Sequence, residues 1–265
     1  FGITPELKTD CGSNLLFVKM NNKNRLAGSI FSEVTQEDFA DTPDVDNVTQ
    51  LKDLFGTIQS FIKDKKVLAL HDISDGGLAS TLAEMCFTKK VGMDISLPDV
   101  SLNDINAHLF AEEIGLVLQV AEEDSSKIES LLESKFTVAN LGVLNNSKTL
   151  NISCQSGSVF SEPVEKLESK WREVSHAIQS MRDNSITADE EQNLLFDKNH
   201  KGLFSDTSFT EIQINTLLTK PKVAVLREQG VNGQMEMAAA YTLAGFEAVD
   251  VHMQDLLDGN IDLPL

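Results

Sequence analysis

Apolar runs alternate with longer amphipathic stretches through the first 155 residues of the chain. The runs "LLFVKM", "KVLALHD", "GMDISL", "GLVLQVA" and "FTVANLGVL" have the length and composition of strands. Between them, "VTQLKDLFGTIQSFIKD", "LASTLAEMCF", "INAHLFAEE" and "SSKIESLLES" have the spacing of amphipathic helices. Strands that alternate with helices predict an α/β domain over residues 1–155.

The pattern changes at residue 156. The stretch "VEKLESKWREVSHAIQSMRD" predicts a helix, and its stripe of Trp171, Val174, Ile178 and Met181 is interpreted as a surface that docks on a neighbouring domain. The polar, acidic stretch "NSITADEEQNLLFDKNHKGLFSDTSF" that follows has no sustained periodicity. Residues 156–220 are therefore interpreted as a connecting segment, partly helical and partly irregular.

A strand and helix pattern begins again at Pro221. "KVAVL" predicts a strand, "REQGVNG" a turn, "QMEMAAAYTLAGF" a helix and "EAVDVHM" a second strand. This βαβ order is the usual opening of a doubly wound domain, so residues 221–265 are interpreted as the beginning of one.

Composition and charge exclude several classes of protein. No apolar stretch approaches the roughly 20 residues of a membrane span, and a net charge of −19 argues against a general nucleic-acid binder. A phosphate ligand would have to be met by backbone amides or by a metal ion. The chain begins at Phe1 rather than Met, and we expect a fragment of a longer cytoplasmic polypeptide.

The three cysteines, Cys11, Cys86 and Cys154, are far apart and form no disulfide or metal-binding pattern. Cys86 lies in the periodic stretch with Leu82 and Met85, where buried packing is the expected role rather than nucleophilic chemistry.

The strongest local signal for chemistry is the turn that joins the predicted strand ending at Leu70 to a helix starting near Leu78. The amides at a helix N-terminus carry partial positive charge, and Gly76 and Gly77 would let phosphate oxygens approach the backbone closely. Asp72, at the end of the strand, could hold Mg²⁺.

The turn has a second interpretation. Ser74 could donate a hydrogen bond to a ligand, but Ser74 or Asp75 could instead cap the helix while the glycines form a tight turn. His71 is interpreted as a hydrogen-bonded core residue rather than a metal ligand, because no second histidine lies at ligand spacing.

Adjacent Glu112 and Glu113 could take part in acid–base or metal chemistry, but their adjacency gives no catalytic pair. A solvated helix end is the expected setting for them, because charged side chains are mostly exposed.

Three motifs carry a resemblance when they are taken in order: "HDISDGGLASTLAEMCF", "LFAEEIGLVLQV" and "PKVAVLREQGVNGQMEMAAAYTLAGFEAVDVHMQDLL". Together they resemble phosphoribosylformylglycinamidine synthases of the large, single-chain type. The resemblance implies that residues 1–155 are the C-terminal part of the second ATP-binding unit, with the fold of aminoimidazole ribonucleotide synthetase, and that Pro221 begins a class I glutaminase domain.

Enzymes of this family make formylglycinamidine ribonucleotide from formylglycinamide ribonucleotide, ATP and glutamine in purine biosynthesis. The resemblance therefore implies ATP or ADP and Mg²⁺ as cofactors, with Asp72 as a magnesium ligand and Ser74, Gly76 and Gly77 at the nucleotide. It also implies contacts with the remaining domains of the same polypeptide.

The chain departs from the family in one respect that bears on activity. A class I glutaminase needs a cysteine nucleophile, and no cysteine follows Pro221. We expect no catalytic residue in this chain and no activity from it alone. Two functions stay open: part of an ATP-dependent amidoligase, or a structural or interaction module of that enzyme with no working nucleotide site.

Overall fold

The computed structural model describes residues 2–197, 199, 200, 208 and 219–262 of the chain. Much of the predicted connecting segment after residue 200 lies outside these residues. The described residues belong to two compact units, Phe1–His200 and Lys201–Leu265, and each is described by itself.

The first unit is built on a seven-stranded mixed sheet with the order β2-β4-β1-β5-β3-β6-β7. Its strands are β1 (Ser13–Lys19), β2 (Ala69–Asp72), β3 (Gly92–Leu97), β4 (Gly115–Ala121), β5 (Thr137–Asn145), β6 (Thr149–Cys154) and β7 (Gly157–Pro163). Neighbouring strands run antiparallel except for the parallel pair β3 and β6.

Eight α-helices are described in this unit. They are α1 (Ile30–Thr35), α2 (Val48–Lys63), α3 (Gly77–Lys89), α4 (Ile105–Phe110), α5 (Glu122–Glu133), α6 (Val164–Trp171), α7 (Glu173–Arg182) and α8 (Ser185–Asn193). A 3₁₀ helix, Leu194–Phe196, follows α8.

Helices cover both faces of the sheet, which explains why β1 reads as a continuous apolar run. Leu16 and Val18 of β1 belong to one core with α2 and α5. Leu15 and Phe17 belong to the other core with α3, α4 and α6. Because successive strand residues point to opposite faces, both sets of side chains are buried, and the predicted α/β class is confirmed.

Helix α3 packs through one face made by Leu78, Leu82, Met85 and Cys86. These positions follow the helical repeat, and all four side chains are fully buried. Burial raises the pKa of the Cys86 thiol to about 12, so the expected packing role of this cysteine is confirmed.

Three local predictions are corrected. Strand β2 continues to Asp72, because His71 and Asp72 pair with Val117 and Leu116 of β4, so the turn begins at Ile73. The predicted helix after Pro163 is two helices, α6 and α7, that meet at Arg172. The acidic stretch after α7 contains α8, because the Asn184 side chain accepts hydrogen bonds from the first amides of that helix.

The predicted stripe of α6 and α7 is exposed to solvent. Trp171, Val174, Ile178 and Met181 each keep more than half of their surface exposed, and α7 buries none of its residues. The interpretation of this stripe as a docking surface stays a prediction.

The second unit forms a βαβ arrangement, as predicted. Strands β8 (Lys222–Arg227) and β9 (Glu247–His252) run parallel, and α9 (Gln234–Leu243) connects them. The short helix α10 (Met253–Leu257) follows β9. In the described parts of both units, no helix is long and apolar enough to cross a membrane.

Candidate functional site

The turn between β2 and α3 starts at an edge of the sheet and leaves Asp72 open to solvent. Strand β2 is the outermost strand, and its pairing continues one step further through a hydrogen bond from the Ile73 amide to the Gly115 carbonyl, 2.9 Å. The Asp72 side chain at the end of the strand is 78% exposed. Its carboxylate is therefore available to a ligand from solvent.

The two glycines of the turn are required by the fold itself. Gly76 and Gly77 have φ angles of +81° and +64°, a region that favours glycine. A Cβ atom on Gly77 would also lie 2.7 Å from the Leu109 carbonyl oxygen. Gly77 thus lets the turn pack closely against the backbone at the end of α4.

The N-terminus of α3 is not capped by Ser74 or Asp75, so that interpretation is wrong. The N-cap residue is Gly76, which has no side chain to act as a cap. The Glu112 carboxylate serves this purpose instead, because its Oε1 accepts hydrogen bonds from the Gly76 amide at 2.8 Å and the Ile30 amide at 3.0 Å. Glu112 thereby joins the turn to the start of α1.

Glu113 is not solvated, in contrast to its expected setting. Glu113 is 2% exposed, and the Arg25 guanidinium binds both of its carboxylate oxygens at 2.7 Å. The Arg25 amide donates a further hydrogen bond at 3.1 Å. Burial alone would raise the pKa of Glu113, but the hydrogen bonds and charge of Arg25 outweigh it and lower that pKa.

A buried lysine lies near this ion pair. Lys19 of β1 is 4% exposed, and its Nζ donates hydrogen bonds to the Lys23 carbonyl and the Asn24 side chain. Burial lowers the pKa of Lys19 to about 8, although the charge of Glu113 opposes the change. Burial and then the charge of Lys19 also lower the pKa of His108, whose Nδ1 lies 3.0 Å from Asn24 Nδ2.

His71 is hydrogen-bonded inside the unit. Its Nε2 lies 2.8 Å from Oε2 of Glu84 on α3, and Oε1 of the same carboxylate accepts the indole N–H of Trp171 at 2.9 Å. Among the described residues, no three His, Cys, Asp or Glu side chains converge as a metal site. The structure therefore does not bring His71 and Asp72 into a preformed metal cluster.

Glu84, Arg25 and Lys19 were not predicted as site residues from the sequence. Glu84 had a signal, because it is the one acidic residue in the apolar stretch "LASTLAEMCF". Arg25 had none, because Glu113 lies 88 positions away. Lys19 had none, because its partners Lys23 and Asn24 follow β1 in an irregular stretch.

Two family models match the chain in succession. Residues 12–155, more than half of the chain, match the AIR synthase related protein C-terminal domain. Residues 220–264 match the CobB/CobQ-like glutamine amidotransferase domain. The two kinds of domain and their order agree with the resemblance found in the sequence.

Solved structures to which this chain is similar include three at low sequence identity. T. maritima PurL complexed with FGAR is 13% identical, with a TM-score of 0.50 over 62% of this chain and 29% of that chain. T. maritima PurL complexed with ATP is 12% identical, with a TM-score of 0.45 over 62% of this chain and 27% of that chain. For hydrogenase maturation protein HypE the identity is 15% and the TM-score 0.40, over 58% and 53% of the two chains.

The chain spans less than a third of the length of either PurL chain. The family match covers six of the seven described strands of the sheet, β1 to β6, and helices α1 to α5. On this evidence the chain belongs to the AIR synthase related protein family, and its residues 12–155 form that family's C-terminal domain.

Proposed function

We propose that this chain is part of a cytoplasmic phosphoribosylformylglycinamidine synthase, an ATP- and glutamine-dependent ligase of purine biosynthesis. One observation carries the proposal: a domain of the AIR synthase family is followed in the same chain by a match to a glutamine amidotransferase domain. A ligase that takes nitrogen from glutamine needs one domain to release ammonia from glutamine and another to use ATP on the substrate.

The proposed reaction forms a carbon–nitrogen bond on formylglycinamide ribonucleotide. Hydrolysis of glutamine supplies ammonia and leaves glutamate, and ATP phosphorylates the amide oxygen of the substrate and leaves ADP. Ammonia then displaces that oxygen as inorganic phosphate to give formylglycinamidine ribonucleotide. PurL structures of T. maritima are complexes with FGAR and with ATP, which supports these ligands for the whole enzyme.

The nucleotide part of the proposal rests on the turn after β2. Asp72 would hold Mg²⁺, Ser74 would contact the nucleotide, and the backbone at Gly76 and Gly77 would face its phosphates. The exposed Asp72 carboxylate suits Mg²⁺, which commonly binds one or two protein carboxylates together with phosphate oxygens and water. The bound ion would neutralise phosphate charge.

For the chain by itself we propose no glutaminase and no ligase activity. Thiolate attack on glutamine needs a cysteine, and none follows Pro221. The proposed domain boundaries are 1–155 for the synthetase part, 156–220 for the connection to the remaining domains, and 221–265 for the beginning of the glutaminase domain. Ammonia release above the blank from the purified chain would contradict the inactivity.

A second candidate is a structural module without a working nucleotide site. It is favoured by the hydrogen bond from the Gly76 amide to Glu112, because this amide is already satisfied by a protein carboxylate. A phosphate at this position would have to compete with Glu112.

Calorimetric titration of Mg-ADP into the wild-type chain, Asp72→Ala and Asp75→Ala separates the two candidates. Asp75 is exposed in the same turn and has no proposed ligand role, so its variant controls for the loss of one charge. Binding that needs both Mg²⁺ and Asp72, and survives in Asp75→Ala, would support the nucleotide site. Absence of binding to the wild-type chain would favour the structural module.

A further inference from the structure

A line of contacts joins the exposed Asp72 carboxylate to the surface of α6. Oδ1 of Asp72 lies 3.3 Å from His71 Nδ1. His71 Nε2 lies 2.8 Å from Oε2 of Glu84, and Oε1 of Glu84 accepts the N–H of Trp171 at 2.9 Å. Four side chains from β2, α3 and α6 thus form one continuous path.

The weak link in this path is between His71 and Asp72. The Nδ1 atom of His71 is buried and has no hydrogen-bond partner, although the Asp72 oxygen is 3.3 Å away, because the geometry is unfavourable. The His71 side chain is only 14% exposed and is held by its neighbours, whereas the Asp72 side chain is 78% exposed and contacts the ring from the solvent side. The orientation of the ring therefore limits the positions that are favourable for the Asp72 carboxylate.

Glu84 fixes the orientation of that ring. Its two carboxylate oxygens bind two different donors, one on His71 and one on Trp171, and both hydrogen bonds are short. Residues that hold a metal ligand through a second hydrogen bond commonly change metal affinity by about 10- to 100-fold when they are replaced.

We infer that Glu84 is a positioning residue for Asp72 and acts through the His71 ring. The inference rests on the proposed function, because it takes Asp72 as the magnesium ligand. It also extends the site to Trp171, which is 58% exposed and whose indole packs beside Phe87 with 5.8 Å between ring centroids. Binding of a ligand at Asp72 should then alter the surroundings of Trp171 on the surface of α6.

Glu84→Gln is the sharpest perturbation. Glutamine has nearly the same shape but only one acceptor oxygen, so it cannot accept from both His71 and Trp171. Glu173→Gln is the matched control: it removes one negative charge from the neighbouring helix α7, where Glu173 pairs with Lys170 and does not touch His71. Circular dichroism and thermal unfolding establish that both variants are folded.

The experiment measures ADP binding by calorimetry at a series of Mg²⁺ concentrations, with the full 265-residue chain. For Glu84→Gln we expect the Mg²⁺ affinity of the ADP complex to fall about tenfold while ADP binding without Mg²⁺ is unchanged. Glu173→Gln should match the wild type. A purely structural role for Glu84 would change both kinds of binding or neither.

Trp171 supplies a second measurement, because it is the only tryptophan of the chain. Its emission should change when Mg-ADP binds to the wild type, and this change should be lost in His71→Gln and in Glu84→Gln. His71→Gln is also the substitute variant if Glu84→Gln fails to fold, with the same expected loss of Mg²⁺ affinity.

The outcomes separate this inference from the proposed function. Magnesium-dependent binding to the wild type with unchanged Mg²⁺ affinity in the folded variants would overturn the positioning role alone. Absence of binding to the wild type would overturn the nucleotide site, and the positioning role with it.

Discussion

The free energy of unfolding of the wild type should rise with pH relative to that of a variant in which buried Lys19 is replaced by methionine. Methionine keeps the apolar length of the side chain but carries no charge. Burial lowers the pKa of Lys19 from 10.5 to about 8. At about 1.4 kcal/mol per pKa unit, the folded protein disfavours the charged amine by about 3 kcal/mol relative to the unfolded chain.

The direction of the change in stability with pH follows from the number of protons that the folded and unfolded states bind. Below pH 8 the amine is charged in both states, so the cost of its burial is fully present. Between pH 8 and about 10.5 the unfolded chain binds more protons than the folded one, and the stability of the wild type therefore rises with pH. The variant lacks this contribution, and the hydrogen bonds it loses to Lys23 and Asn24 add a nearly constant offset.

Urea unfolding followed by Trp171 emission measures the difference, because Trp171 lies in the unit that contains Lys19. From pH 7 to pH 10 we expect the free energy of unfolding of the wild type to rise by about 2 to 3 kcal/mol relative to Lys19→Met. Lys66→Met is the control: Lys66 is a partly exposed partner of Asp124 and has a raised pKa, so no such rise is expected. Parallel pH profiles of wild type and Lys19→Met would refute the reasoning.

Three further predictions concern the turn and its neighbours. Glu113→Ala should cost about 3 kcal/mol at pH 7, because the Arg25 guanidinium loses its two hydrogen bonds to the buried Glu113 carboxylate and keeps only exposed Asp46 as an ionic partner among the described residues. Since the pKa of Glu113 is lowered, this advantage of the wild type is present above the unfolded pKa near 4.5 and fades as the pH falls further, which urea unfolding at pH 7 and pH 3 will check. Gly77→Ala should lower the free energy of unfolding by about 2 kcal/mol, because the alanine would be strained at a positive φ and would contact the Leu109 carbonyl. Gly56→Ala, in open space on α2, should cause no such loss in thermal unfolding, and equal effects of the two substitutions would contradict this. Glu112→Gln should strengthen ADP binding about threefold in calorimetry, because one negative charge leaves the N-terminus of α3, and unchanged or weaker binding would count against a phosphate at this turn.

Local sequence pattern was sufficient for most of the fold. Alternation and helical spacing predicted strands β1 to β5, the long helices of residues 1–155 and the βαβ arrangement after Pro221, because these patterns follow directly from which face of each element is buried. Strands β6 and β7 were not predicted. Two of the wrong predictions are at element ends, and a third is helix α8, which was missed as a whole. The last two residues of β2 and the break at Arg172 depend on pairing with β4 and on helix packing, which local spacing does not contain.

The candidate site divides in the same way. The sequence by itself placed Asp72, Ser74, Gly76 and Gly77 in one strand-to-helix turn, because they are neighbours along the chain. Only the tertiary structure decided what surrounds that turn: Glu112 reaches the Gly76 amide from 36 positions away, and Glu113 meets Arg25 across 88 positions. Charge and composition made both glutamates look solvated, but folding buries one with a matching guanidinium and uses the other to satisfy a helix end. Such partners depend on which strands lie side by side in the sheet, and the periodicity of one segment does not determine the order of the strands.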